Sequence, residues 1–240
     1  MIFEGATISS IIAGIMWNKY ISVYWFFASL FSVYLSIPIL SMIKEENRKE
    51  VFTYFVGVVF IANSLIPLIS EMFGIAYNGS FKVAVGGGYI IYAVLGYLIS
   101  KYDISKKNRY IIYILGVAGL LIHIFGTWYL SYEAGSIVKI FKEYTNVPCI
   151  LYSTAIFVFF KYTDFSKLGN VFMKIIDFIS QYTFPVYLMH YFVIDIFRRV
   201  YNPDITSIKY RLIFPMCVML ICIVVTWILR KIPLIKKLVP

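Results

Sequence analysis

The sequence predicts an all-α fold: a polytopic transmembrane helical bundle of about seven transmembrane helices, N-terminus out and C-terminus in. Three observations predict it. The 240 residues are 61% hydrophobic and 14% charged, with a mean hydropathy of +0.82. A soluble domain is nearer half apolar and a quarter charged, so the bilayer must act as part of this chain's solvent. The apolar residues gather in runs of spanning length, and the charges lie between the runs.

Met1–Ile21 does not supply a span. ATISSIIAGIMW is too short, and Asn18 and Lys19 end it. Residues 1–21 are expected to form an interfacial or re-entrant segment. Met1–Trp17 is not expected to be a cleavable signal peptide, because acidic Glu4 stands where a basic region belongs. A spanning helix needs about 20 mostly apolar residues. Runs of that kind fall near Ser22–Ile43, Phe52–Met72, Val83–Ser100, Tyr110–Leu130, Val147–Lys161, Ile175–Phe197 and Leu212–Leu229. The separators hold the charge: Lys44–Glu50, Lys101–Arg109, Glu133–Glu143, Lys161–Lys174 and Arg198–Arg211.

Lys and Arg in short loops set orientation. Lys44–Glu50, Lys101–Arg109, Lys161–Lys174 and the Arg230–Lys237 tail are rich in both, and alternation puts them on one side, the cytoplasmic one. Met1–Ile21, Phe73–Lys82 and Ser131–Asn146 then fall outside. The exception is Arg198–Arg211, an outer segment carrying Arg198, Arg199, Lys209 and Arg211. No repeat or low-complexity linker divides the chain, so residues 1–240 read as one membrane-embedded domain. Tyr20, Tyr24, Trp25, Phe26 and Phe27, then Trp128, Tyr129 and Tyr132, mark an interfacial aromatic belt.

The net charge is +10, but the basic residues sit between apolar runs as topology anchors, with no groove or stacking platform for nucleic acid. Cys149, Cys217 and Cys222 lie in apolar runs without CxxC spacing and read as buried thiols, and no metal site is expected. Gly86–Gly88 lacks the strand, spacing and lysine of a phosphate loop. Gly88 and Gly96 are expected to allow close helix packing. There is no serine elbow, HExxH, Walker motif or pair of carboxylates.

The stretch that could carry chemistry is Gln181–Arg199, QYTFPVYLMHYFVIDIFRR. It is apolar, yet it holds His190, Asp195, Arg198 and Arg199. Charged groups at the centre of a bilayer cost about 2.5–3.5 kcal/mol each on insertion scales, so they mark a protein-lined or watery site. His190 shares a helical face with Val186, Tyr187, Val193 and Ile194, and Tyr187 is placed to hydrogen-bond it. Asp195 pairs more naturally with Arg198 or Arg199. His190 reads either as a proton carrier or ligand group, or as a structural hydrogen-bonder between helices. His123, beside Gly119 and Thr127, carries the same two readings. Arg198, Arg199, Lys209 and Arg211 read either as a cationic mouth for an anionic substrate or lipid-linked phosphate, or as a tolerated exception to the charge rule. Pro185 is expected to distort the backbone ahead of His190.

Three stretches resemble the acyltransferase-3 family of integral-membrane acyltransferases. Tyr24–Leu40, YWFFASLFSVYLSIPIL, is similar to the family's WFxxxLxxYLxxPxL helix through Trp25, Phe26, Leu30, Tyr34, Leu35, Pro38 and Leu40. Tyr89–Ile99, YIIYAVLGYLI, is similar to a family helix ending in LGYYL. Tyr182–His190, YTFPVYLMH, resembles the family's C-terminal YLxH signature. The resemblance implies transfer of an acyl group, usually acetyl from acetyl-CoA inside, to a hydroxyl of a cell-envelope glycan or lipid-linked sugar outside. It implies a multi-pass cell-membrane protein whose partner is the lipid bilayer. Its motifs point to Trp25, Tyr187 and His190 as substrate-binding residues, and Arg198 and Arg199, at the outer end of the same stretch, join them as substrate-facing charges.

The family's catalytic arginine and histidine near the outer end of the first helix have no counterpart here, since nothing before Trp25 matches and no Arg precedes Arg48. His190 and His123 are the histidines available instead. The chain therefore reads as the C-terminal portion of such an enzyme, through truncation, a misassigned start codon or divergence, and possible inactivity alone follows from that reading. Two alternatives stand beside it: a polysaccharide export or flippase-type protein, and a non-catalytic membrane remnant.

Overall fold

The computed structural model describes residues 24–165, 167 and 169–232, together with Thr7. The segment 1–21 expected at the interface thus lies, apart from Thr7, outside the described residues. Contacts divide the chain into two compact units, Met1–Thr163 and Asp164–Pro240. The first holds α1 (Trp25–Ser41), α2 (Glu45–Met72), 3-10 turns at Gly79–Phe81 and Val85–Gly88, α3 (Ile90–Lys101), α4 (Lys106–Glu133) and α5 (Val147–Tyr162). The second holds α6 (Asn170–Ser180), α7 (Thr183–Tyr201) and α8 (Ile208–Leu229). No strand occurs among the described residues, so the all-α expectation holds.

Among the described residues three helices are long and apolar enough to cross a membrane: α2, α4 and α8. α1, α3 and α5 are shorter apolar helices. Large apolar side chains point outward along them, such as Ile39, Ile114 and Leu212, each about 70% exposed. In water such surface is a liability, but in lipid it is matched to its solvent. The core of the first unit is correspondingly small. It gathers Val33 of α1, Phe52 and Val59 of α2, Ile90, Ile91 and Val94 of α3, and Ile150 of α5.

The element bounds depart from the apolar runs where backbone chemistry overrides hydropathy. α2 starts at Glu45 rather than Phe52, because Glu45 and Glu46 in the first turn suit the helix dipole. α3 starts at Ile90 rather than Val83, since the glycine run favours a tight turn and Gly88 adopts a φ of 95°. The run Ile175–Phe197 is broken into α6 and α7. Pro185 has no N–H, and its ring crowds the carbonyl of Gln181 four residues back. Arg230 Nη2 donates to that carbonyl at 3.2 Å, and the guanidinium lies 4.7 Å above the Tyr182 ring. α6 is then short and amphipathic, with Val171, Phe172, Ile175 and Ile176 exposed.

Several basic residues that read as topology anchors also close helix ends. Arg48 donates through Nε to the Ile43 carbonyl and through Nη2 to the Ser41 carbonyl, both at 2.8 Å. Lys161 Nζ donates to the Ile99 and Tyr102 carbonyls at 2.7 Å and pairs with Asp103 at 3.6 Å. The last carbonyls of α1 and α3, which have no helical partner, are satisfied in this way.

α4 and α5 pack closely. A Cβ on Gly116 would overlap Ala155, and one on Gly119 would stand 2.9 Å from the Pro148 carbonyl. Close packing of this kind needs small residues. It is Gly116 and Gly119 that supply them, not Gly96, around which a Cβ would meet nothing within 4 Å. Cys149 and Cys222 are buried, but Cys217 is exposed on α8. The same substitution should therefore act with opposite signs. Gly116→Ala should lower the unfolding free energy of detergent-solubilised protein by about 1–3 kcal/mol. Gly96→Ala should raise it by about 0.5–1 kcal/mol through helix propensity. Thermal or denaturant unfolding midpoints check both.

Candidate functional site

α2 and α4 each contain one π-turn, at Ile61–Leu65 and Ile122–Gly126. Such turns are uncommon and frequently sit at functional sites. In α2 the Ile66 N–H reaches back five residues to the Ile61 carbonyl. The next residue, Pro67, has no N–H for the Ala62 carbonyl, and the Tyr77 hydroxyl fills the gap at 2.8 Å. The turn also exposes side chains to the connecting loops. Asn63 grips Val83 through both backbone groups at 2.8 Å. Ser64, 2% exposed, donates to the Thr145 carbonyl at 2.6 Å.

The π-turn of α4 presents His123. Its Nδ1 lies 3.6 Å from Cys149 Sγ, and the Tyr152 hydroxyl donates to the same sulfur at 3.3 Å. The His123 and Tyr152 rings meet edge-on, with centroids 5.6 Å apart. Cys149 is 1% exposed in the first turn of α5, whose start Asn146 caps by accepting from the Val147 N–H. In the tautomer whose Nδ1–H donates to sulfur, Nε2 is the nitrogen that can accept a proton.

His123 and Tyr152 belong to the wall of an open cavity of about 650 Å³, which Thr127, Trp128, Ser131, Lys142 and Tyr144 also line. Residues 134–146 supply one side of it, and they are pinned at many points. The Trp25 ring stacks on Tyr144 at 5.2 Å, and the Tyr92 hydroxyl donates to the Tyr144 carbonyl. Asn146 Nδ2 donates to the Ile140 carbonyl, and the Ser131 hydroxyl accepts from the Val138 N–H at 3.0 Å. Gly126 leaves room for the Phe141 ring. Thr127 Oγ1 is buried and has no hydrogen-bond partner among the described residues.

Of the residues the sequence singles out, Trp25 and His123 come together here, Trp25 behind Tyr144 and His123 in the wall. Tyr187, His190, Arg198 and Arg199 all lie on α7 in the other unit. His190 Nδ1 lies 2.6 Å from the Tyr187 carbonyl. A carbonyl only accepts, so Nδ1 carries the proton and Nε2 is the acceptor. The expected pairing of Tyr187 and His190 is therefore through the backbone. Arg199 pairs with Asp195 at 2.9 Å, one helical turn away. Beyond α7, Asn202 takes the left-handed conformation that ends the helix. Thr206 donates to Asp204 from its hydroxyl and its backbone N–H, which holds the exposed Asp204 carboxyl below the usual range.

Tyr152, Tyr144 and Lys142 are not singled out by the sequence, which reads Cys149 as an inert buried thiol and Thr127 only as a neighbour on the His123 face. One signal was available: Cys149 and Tyr152 stand three apart on a helix that Asn146 and Pro148 begin. Their meeting with His123 depends on α4–α5 packing, which no local pattern encodes. Two further cavities are apolar. One lies between α1, α2 and α3 beside Arg48, and the other between α7 and α8. No group of three or more His, Cys, Asp or Glu suited to a metal occurs among the described residues.

A family model described as an acyltransferase domain matches residues 2–231 of the chain. No curated protein and no solved structure matches it. The cavity geometry makes a stability contrast. Ser64→Ala strands the Thr145 carbonyl and should cost about 1–3 kcal/mol of unfolding free energy. Thr127→Val removes a hydroxyl with no hydrogen-bond partner among the described residues and should change the ligand-free protein by less than about 0.5 kcal/mol. Unfolding midpoints of the two variants decide it.

Proposed function

The chain belongs to the acyltransferase-3 family, and on that premise we propose a multi-pass protein of the cell membrane that moves acetyl from acetyl-CoA to a hydroxyl of a cell-envelope or exported polysaccharide. The observation that carries this is the family match at residues 2–231, which runs across both compact units. That match supports treating residues 1–240 as one acyltransferase-type domain. The geometry contributes a base in an open, aromatic-walled cavity. In the reaction the acetyl thioester reaches His123 from the cytoplasmic side of the bundle, and His123 takes the proton of the acceptor hydroxyl as its oxygen bonds to the thioester carbonyl carbon. The carbon–sulfur bond breaks, and the proton passes to the departing thiolate. Cys149 and Tyr152 hold the imidazole in place.

The loop charges support seven crossings with the N-terminus out and the C-terminus in. In that arrangement α6 lies along the interface and α7 crosses, its 19 residues reaching about 28 Å. The His123 cavity then opens to the outer side, where the glycan is. Arg198 and Arg199 act as substrate-binding residues at the outer end of α7, with His190 near its middle and Tyr187 nearer its inner end, and the Nε2 of His190 can accept from a sugar hydroxyl. Nucleic acid has no part in this reading.

Deleting the gene should remove O-acetyl groups from the envelope glycan while leaving total glycan near normal, measured by mild base release against total sugar. Loss of the glycan itself would point to export, and unchanged acetylation would reject transfer. Orientation has its own check in a Cys217→Ser background. Ser136→Cys should react with an impermeant maleimide on intact cells, and Ser105→Cys only after permeabilisation. The reverse pattern would invert the topology.

A further inference from the structure

We infer that the acceptor glycan is anionic, with a carboxylate or phosphate that pairs with Lys142 at the mouth of the His123 cavity. The inference rests on the acyl-transfer reading of that cavity and adds the charge of what enters it. Lys142 is the cation among the lining residues, and no Asp or Glu lines the cavity with it. Lys44, Lys101, Lys161 and Arg199 each stand in an ion pair. Among the described residues Lys142 forms none.

The backbone that carries Lys142 is held. Its N–H donates to the Lys139 carbonyl at 2.9 Å, and Tyr144 and Asn146 fix the residues that follow. Glu133, Lys139 and Glu143 are the other charged groups of this connection, and none of them is in the wall. The remaining lining is what a sugar needs. Trp128, Tyr144 and Tyr152 offer rings for the apolar faces of a pyranose. The Thr127 hydroxyl, without a partner among the described residues, is a buried group that a ligand would satisfy. An ammonium on a flexible stem is a point charge, suited to a carboxylate or phosphate without demanding a fixed fork geometry.

The test titrates three trisaccharides into the full chain in phosphatidylcholine nanodiscs at low salt: one of galacturonic acid, one of galactose bearing a phosphate, and one of neutral galactose. Lys142 is exposed, so the acidic sugars should bind about two- to fivefold more tightly than the neutral one. Lys142→Gln should remove the difference, and Lys142→Glu should reverse it. Whether the carboxylate or the phosphate sugar is preferred names the source of the charge. Equal affinity for neutral and acidic sugars, a preference that survives Lys142→Gln, or no binding of any of the three overturns the inference. Binding needs no acyl donor, so that failure is separate from failure of the acyl-transfer reading, which would appear as unchanged glycan acetylation in the deletion strain.

Discussion

Each backbone carbonyl in a membrane must find a donor from within the protein, because the lipid offers none. At four places where proline or a helix end leaves a carbonyl open, a particular side chain closes it. Tyr77 serves Ala62, which Pro67 cannot reach, and Arg230 serves Gln181, which Pro185 cannot reach. Arg48 and Lys161 serve the ends of α1 and α3. In α2 the π-turn goes further, since Asn63 and Ser64 carry the same logic outward to Val83 and Thr145. The connection ending at Thr145 is also the one that supplies Lys142 and Tyr144 to the cavity. Backbone satisfaction and the construction of the candidate site are thus one problem here.

Much of the fold was legible in hydropathy alone. Runs of apolar residues separated by charges gave helices in the right order, and the α5 run began where the helix begins. The misses have physical causes. Hydropathy cannot see that Pro185 crowds Gln181, so Ile175–Phe197 read as one run instead of α6 and α7. It cannot see a π-turn, which changes hydrogen-bond register and leaves composition untouched. Gly96 and Gly116 look alike in sequence, and only the neighbouring helix tells them apart.

The candidate site was partly legible. A histidine in an apolar run is conspicuous, and His190 drew most weight because Asp195, Arg198 and Arg199 accompany it. The structure gives His190 a local role with the Tyr187 carbonyl and gives Asp195 to Arg199. His123, less conspicuous, meets a thiol, a phenol and an open cavity. That difference arises from Cys149 and Tyr152, 26 and 29 positions away on α5, beyond the reach of helical periodicity. Trp25 was reached through its family motif, and its place against Tyr144 supports the cavity wall from behind.

The most direct measurement follows radiolabel from acetyl-CoA to envelope glycan in proteoliposomes made with wild-type protein or with His123→Ala, each at matched folded amount. Wild-type protein should label the glycan, and His123→Ala should lose about 10²–10⁴-fold of the rate, the usual scale for removing a general base. Labelling by His123→Ala at the wild-type rate would take this histidine, and the cavity around it, out of the reaction.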